Sequence, residues 1–396
     1  MKPLLMSSYT ATSALGVGLA EQIAALKAKQ SGIVKKSWET VSFEFCTGEV
    51  AGVDEVVLPD AVKHFDCRNN QLAYLALQQD GFETAVLHAI TKYGPNRVAV
   101  LLGTSTSGIL STEVAYRERD PETGALPVGH RYRQTQNTYS LADFVRTYFG
   151  LTGIANVVST ACSSSAKVFA AAERLIECGL ADAAIVGGVD SLCLTTIYGF
   201  SSLQLVSVAP CKPYDVARNG ISIGEGAAFA LLEQPERADV KQGIYLTGYG
   251  ETSDAHHMSS PHPEGLGAQQ AMRAALSMAG LTPAEIGYIN LHGTATPSND
   301  AAEGKAVTAL FGKNTPCSST KGHTGHTLGA AGGLEAIFSA IALTEGFLPA
   351  GVGTTELDPD IACHYLLDNQ VANIQHVLTN SFGFGGSNCS LIFSKG

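Results

Sequence analysis

Ser159-Thr-Ala-Cys-Ser-Ser-Ser165 is the stretch on which the reading of this chain turns. Ahead of it, Ile154, Val157 and Val158 have the character of a buried strand. Behind it, Val168, Ala172, Leu175 and Ile176 recur at helical spacing until Gly179 supplies a stop. The stretch is therefore a strand-to-helix turn with Cys162 at its tip. A thiol there faces the unpaired N–H groups of a first helical turn, which favour thiolate over thiol. The thiolate is the nucleophile, so the turn suits an acyl-transfer enzyme. A buried, inert cysteine is the competing interpretation, and the rest of the chain decides between them.

Strand and helix patterns alternate on both sides of this turn. Strand character marks Arg97 to Leu102, Ala183 to Val189, Gly226 to Leu232, Tyr245 to Tyr249, Gly287 to Leu291, Val377 to Asn380 and Ser387 to Phe393. Helical spacing marks Asn70 to Lys92, Ala166 to Cys178, Gly267 to Gly280, Asp300 to Phe311 and Leu328 to Glu345. The alternation predicts an α/β architecture with helix-covered sheets. A charged, turn-rich stretch from Glu233 to Gln242 divides the chain into halves, 1–240 and 241–396.

Composition narrows the function. The 396 residues are 45% hydrophobic and 15% charged, enough to build a substantial core. A formal charge of -11 with no long Lys/Arg cluster argues against nucleic acid as a ligand. The nine cysteines are scattered and include no Cys-x-x-Cys pair, so neither a zinc knuckle nor a disulfide framework is predicted. The N-terminus lacks a signal-peptide core, and the uncharged run Ser191 to Cys211 is too polar to span a bilayer. A cytoplasmic protein with reduced thiols is the expectation.

Three further motifs carry chemistry. Asn290-Leu-His-Gly-Thr-Ala-Thr-Pro297 places His292 just after a strand, beside the hydroxyls of Thr294 and Thr296. Ser319-Thr-Lys-Gly-His-Thr-Gly-His-Thr-Leu-Gly-Ala-Ala-Gly-Gly333 sets Lys321, His323 and His326 in a glycine-rich loop ahead of an apolar helix that contains Glu335. A helix N-terminus after His326 would keep that imidazole neutral. His323 and His326 alone make a poor metal site, because zinc needs three or four ligands. Asn380-Ser-Phe-Gly-Phe-Gly-Gly-Ser-Asn388 lets backbone N–H groups converge as an oxyanion site requires.

Together these motifs resemble the β-ketoacyl-acyl-carrier-protein synthases, specifically the elongating Cys-His-His class of the thiolase superfamily. The resemblance covers most of the chain. It includes Asp66-Cys-Arg68 and Pro213-Tyr-Asp-Val-Ala-Arg-Asn-Gly-Ile-Ser-Ile-Gly-Glu-Gly-Ala227, and it weakens at Leu4 to Thr10 and around residues 120–130. It implies a thiolase-like duplicated five-layer α-β-α-β-α sandwich, with the nucleophilic Cys in the first half and both histidines in the second. It implies that Cys162 holds an acyl chain while a malonyl carrier thioester is decarboxylated and condenses with it. In that scheme His292 and His326 stabilise the enolate, and Lys321 pairs with Glu335. The N–H groups of Cys162 and Phe384 form the oxyanion hole, Phe384 gates, Phe382 supports, and Thr294 and Thr296 bind the pantetheine arm.

The resemblance implies no metal or organic cofactor, since decarboxylation supplies the carbanion. Implied partners are an acyl carrier protein, with Lys63, Arg68, Arg131 and Arg133 as docking candidates, and a second ketosynthase-like subunit in a homodimer or heterodimer. The pathway implied is fatty-acid, polyketide or aryl-polyene-type biosynthesis, with the unusual N-terminus favouring a specialised one. A non-catalytic, chain-length-factor-like partner is the alternative, disfavoured because Cys162 and both histidines are kept. Thr324-Gly-His326 argues against an initiating Cys-His-Asn synthase. A thiolase would need a second catalytic Cys, for which Cys389 is the candidate.

Overall fold

The computed structural model describes residues 1–38, 40–239 and 242–396. The division between residues 240 and 241 lies outside the described residues. Five strands build the first half of the main sheet: β1 (Leu4–Ser13), β2 (Val98–Gly103), β3 (Ala155–Val158), β4 (Ala183–Asp190) and β5 (Gly226–Glu233). Their spatial order is β1-β5-β4-β2-β3, with two antiparallel pairings followed by two parallel ones. Six more strands follow: β6 (Ile244–Ser253), β7 (Tyr288–Asn290), β8 (Pro316–Ser318), β9 (His364–Tyr365), β10 (His376–Gly383) and β11 (Ser387–Lys395). The order β6-β11-β10-β7-β8 repeats the same succession of directions, and β9 adds to the edge. The halves join where β1 pairs with β6 through Leu4, Leu5 and Met6, and a short strand at Gly16–Val17 brings the sheet to twelve strands.

Helices cover both outer faces and fill the space between the halves. α1 (Arg68–Leu77), α2 (Phe82–Tyr93) and α3 (Ser140–Tyr148) pack outside the first half, and α4 (Ser164–Glu177) follows Cys162 into the interior. α5 (Leu194–Ser202) flanks a cleft described below. α6 (Leu266–Ala279) and α7 (Pro297–Phe311) cover the second half. The single turn α8 (Lys321–Thr324) leads to α9 (Ala331–Glu345), which packs between the halves against α4, β4, β5 and β10. Every residue of α9 from Ala331 to Leu343 is buried, as a helix held between two sheets requires. It belongs to the segment Leu328–Glu345, whose length and apolarity would also suit a membrane span. The result is the α-β-α-β-α layering that the resemblance implies.

Two local expectations need correction. The helical run Asn70 to Lys92 is broken into α1 and α2, because Asp80 (φ +56°) and Gly81 (φ +72°) both take left-handed conformations. The strand before Cys162 is not fully buried: β3 is the outermost strand, its partner is β2 alone, and Asn156 is exposed. Apolar content there reflects a half-covered edge.

Candidate active site

Four loops that follow strand ends meet in one cleft. Cys162 comes after β3, His292 after β7, Lys321 after β8 and Phe384 after β10. Ligand sites of open α/β sheets sit at such carboxyl ends. The lining of the cleft includes Cys162, His292, His326, Thr294, Thr296 and Phe384.

The small residues around Cys162 make its turn possible. Ala161 stands in the left-handed region (φ +52°), which costs an L residue roughly 1–2 kcal/mol and turns the chain sharply from strand to helix. The serines that follow hold this bend. Ser164 Oγ accepts the Thr160 N–H at 2.9 Å, and Ser163 Oγ donates to the Thr160 carbonyl at 2.9 Å. The next residue, Ser165, accepts the Gly333 N–H on its Oγ at 2.7 Å and ties α4 to α9.

His326 brings Nε2 to 3.0 Å from Cys162 Sγ, and its Nδ1 accepts the Leu328 N–H at 3.1 Å. An Nδ1 that accepts leaves the proton of the neutral ring on Nε2, so His326 presents a donor to the sulfur. His292 is arranged alike. Its Nδ1 faces the Lys321 ammonium at 3.3 Å, which again leaves the ring proton on Nε2, and the two imidazoles stand edge to face with centroids 5.4 Å apart. Burial, followed by the Lys321 charge, holds both rings well below the usual histidine range, and for His292 the neighbouring His326 adds to the effect. Both are therefore neutral at pH 7.

Lys321 spends its ammonium on three acceptors: the Glu335 carboxylate, the His292 carbonyl at 2.5 Å and His292 Nδ1. The ion pair is almost wholly buried, with side-chain exposures of 2% and 3%. Burial pushes the Glu335 carboxyl up to about 7, against the pull of Lys321.

The thiol differs from expectation. Cys162 precedes the helix N-cap Ser163 and is almost fully buried. Removal from water pushes it up to about 11, although the Lys321 charge and the Phe384 N–H on its sulfur act the other way. Desolvation outweighs the helix terminus, and the resting pair is a neutral thiol beside a neutral imidazole.

The remaining site residues fall as follows. Thr294 and Thr296 share a hydroxyl contact of 2.9 Å on the cleft wall. Phe384 lies against Phe200 of α5, centroids 5.6 Å apart, and Phe382 lies against His292 at 5.9 Å. His323 turns away from the cleft, with its ring nitrogens against the carbonyls of Gln30 and Ala350. Cys389 is buried in the core on β11 and does not line the cleft. Arg68 is withdrawn as a docking residue: Nε and Nη2 grip both oxygens of buried Glu225 at 2.9 and 2.6 Å, and Nη1 pairs with Asp54. Lys63, Arg131 and Arg133 are exposed.

Sequence reasoning missed two carboxylates behind His292. Glu303 accepts the N–H groups of His292 and Gly293, each at 2.8 Å, and Asp300 accepts those of Thr294 and Ala295. Burial pushes Glu303 up to about 7. Their signal was available: two acids three residues apart near the start of a helix opened by Pro297 face back toward the preceding loop. Asp190, Phe200 and Leu328 carried no comparable signal.

Cys162, His292 and His326 bring their donor atoms within 4.8 Å of one another, close enough to suggest a metal site. The tautomers oppose that use. A ring nitrogen that binds metal must be deprotonated, yet each Nδ1 already faces an N–H donor, so the ring proton has no other place than Nε2. The set is suited to hold an anionic oxygen or sulfur.

Comparison with known proteins agrees with this geometry. Residues 12–238 match the family model described as the beta-ketoacyl synthase N-terminal domain, and residues 245–355 match its C-terminal domain. The chain is 34% identical over 313 residues to 3-oxoacyl-[acyl-carrier-protein] synthase 2 of Staphylococcus aureus (strain COL), covering 76% of this chain and 75% of that protein. Its fold superimposes on a chain of the complex of ketosynthase (ApeO) with its chain length factor (ApeC) from Xenorhabdus doucetiae, with a TM-score of 0.92, 40% identity and coverage of 100% and 98%. A beta-ketoacyl synthase from Burkholderia phymatum STM815 gives a TM-score of 0.87 at 27% identity over the full length of both chains.

Proposed function

This chain belongs to the β-ketoacyl synthase family, and from that premise we propose how its residues divide the work of a decarboxylative condensation on carrier-bound acyl chains. Cys162 Sγ attacks the carbonyl of an acyl carrier thioester, and the thiol proton ends on the departing pantetheine sulfur. Because the resting thiol is neutral, the His326 Nε2–H and the Phe384 N–H act by stabilising negative charge on sulfur as it develops. A malonyl carrier thioester then takes the arm's place. Its C–C bond to the carboxylate breaks, CO₂ leaves, and the electron pair moves onto the thioester as an enolate. The Nε2–H groups of His292 and His326 hold the enolate oxygen. The enolate carbon attacks the acyl-Cys162 carbonyl, and the N–H groups of Cys162 and Phe384 take the oxyanion. Collapse returns the Cys162 thiolate, which takes a proton from solvent to restore the resting thiol, and releases a 3-ketoacyl carrier two carbons longer.

One observation carries this reading: two neutral imidazoles, each pinned at Nδ1 by a donor, offer two N–H groups beside one thiol. No metal or organic cofactor has a step to perform, since CO₂ loss supplies the carbanion. The pH dependence of CO₂ release from malonyl carrier tests the assignment. Both rings are held below the usual value of about 6.5, so the neutral form persists on acidification and is lost only as pH falls through the depressed range. The expected acid limb of kcat therefore lies well below 6.5. A limb at about 6.5 to 7 would mean that another group governs the step, either an ordinary histidine or the Glu335 and Glu303 carboxyls that burial pushes up to about 7.

The implied partners are an acyl carrier protein and a second ketosynthase-like chain. Support for the first is the substrate in the Staphylococcus aureus relative's name. Support for the second is the ApeO–ApeC complex, together with the open edge of β3, an arrangement that proteins usually cover. The match to a chain of a ketosynthase complexed with a chain length factor also supports a specialised pathway over housekeeping lipid synthesis. A particle of twice one chain's mass is expected in solution, either alone or with a co-expressed partner. A monomer under both conditions would contradict the pairing.

A further inference from the structure

The Leu328 N–H on Nδ1 locks His326 in the tautomer that donates at Nε2. That N–H reaches back two residues because Leu328 stands at φ +53°, in the left-handed region. A non-glycine residue there costs on the order of 1–3 kcal/mol and persists only where its surroundings hold it. Leu328 therefore needs an anchor, and the anchor follows directly. The Ala330 N–H is shared between the Thr327 carbonyl at 3.0 Å and Asp190 Oδ2 at 3.2 Å. Gly329 packs so closely on the same carboxylate that a Cβ would lie 2.8 Å from Oδ2 and 2.7 Å from Ser105 Oγ.

Asp190 is the last residue of β4 and is fully buried. Its Oδ1 accepts the hydroxyls of Thr104 and Thr106 at 2.7 Å each, and the N–H groups of Ser105 at 2.8 Å and Thr106 at 2.7 Å. No lysine or arginine forms an ion pair with it among the described residues. A carboxylate kept in the interior on neutral donors alone forfeits hydration, and what it secures is the union of two loops. Oδ1 grips the loop after β2, and Oδ2 joins that loop, through the Ser105 N–H at 3.1 Å, to the turn after His326.

We propose that Asp190 is a positioning residue for His326, holding the strained Leu328 turn whose N–H fixes the imidazole tautomer. The inference rests on the reading of His326 as the donor to sulfur and enolate. Asp190 touches neither substrate nor reacting atoms and acts through the turn alone. Two variants address it from opposite sides. Asp190→Asn removes the charge and turns one of the two accepting oxygens into a donor. Gly329→Ala leaves the carboxylate intact and forces the turn away from it.

The test is ¹⁵N spectroscopy of histidine-labelled full-length protein, with His326 assigned by its loss in His326→Ala, beside steady-state condensation. The wild type should show the Nε2–H tautomer at His326. Both variants should show a mixture of tautomers, with kcat down about 10- to 100-fold, as for a misplaced catalytic group, and KM for malonyl carrier within twofold. Tyr249→Phe removes a hydroxyl from buried Glu173 on the opposite flank of α4 and serves as a stability control. It should lose stability without changing the His326 signal. A wild-type His326 spectrum in Gly329→Ala, or a loss of kcat that Tyr249→Phe matches at equal stability, overturns the proposal. Should Asp190→Asn fail to fold, Gly329→Ala decides alone. If the wild type does not condense, the reaction assignment falls, while the tautomer comparison still judges the turn.

Discussion

Cys162→Ala is expected to lose the acyl-enzyme altogether and to lower condensation by at least about 10³-fold, because the electrophile is then never transferred to the protein. The loss should be chemical. Alanine fits the same tight turn, and the bonds made by Ser163, Ser164 and Ser165 do not involve the sulfur. The Nε2–H groups of His292 and His326 stay in place, so the variant should still decarboxylate malonyl carrier, with the enolate quenched to acetyl carrier by a proton. The combination of lost condensation and kept decarboxylation separates the two half-reactions. Both are followed by mass analysis of the carrier-bound species. Acyl-protein forming on Cys162→Ala would place the nucleophile elsewhere. Undiminished pathway output in cells carrying Cys162→Ala would assign the chain the role of a non-catalytic partner.

Lys321→Met is expected to cost about 3–5 kcal/mol of stability, the usual penalty for breaking a buried ion pair from one side. It should also slow decarboxylation by about 10²- to 10³-fold, the range for losing one preorganised donor to a developing oxyanion. The two effects have different origins. The first comes from Glu335, left buried without its partner and already pushed up to about 7 by burial. The second comes from His292, whose Nδ1 no longer faces an ammonium and whose tautomer is then free to change. Lys321→Met combined with Glu335→Leu distinguishes them. Denaturant unfolding should show most of the stability restored, since an apolar pair replaces an ionic one, while decarboxylation stays slow. Recovery of both together would show that Lys321 matters only as a structural counter-ion.

Much of this site was legible because its chemistry is written in short motifs. The candidate site residues Cys162, His292, His326 and Phe384 each sit in a loop with the glycine, alanine or threonine neighbours that a tight turn requires, and local sequence records such needs. Strand and helix periods pointed to an α/β architecture with helix-covered sheets, while the five-layer order rested on the family resemblance. What stayed hidden depends on distance or on environment. Asp190 meets donors 84–86 residues behind it and 140 ahead, and no spacing rule connects them. The thiol's resistance to ionisation arises from burial by four separate loops, so a helix-terminus argument drawn from seven residues pointed the wrong way. Arg68 read as a surface cation, and its true partner Glu225 lies 157 residues further along. The break between α1 and α2 shows the limit of periodicity, since Asp80 and Gly81 interrupt the helix without disturbing its apolar spacing.

The central claim is that Cys162 holds the growing chain while a second carrier thioester is decarboxylated against it, and intact-protein mass analysis reads it most directly. The purified wild-type enzyme is incubated with an acyl carrier thioester in the presence of a chelator, then with malonyl carrier. The first step should add one acyl mass, on the peptide bearing Cys162. The second should remove it, with CO₂ and a 3-ketoacyl carrier two carbons longer as products, and chelation should change neither. An enzyme that takes no acyl group from any carrier, or one whose acyl group survives malonyl carrier unchanged, would contradict the account.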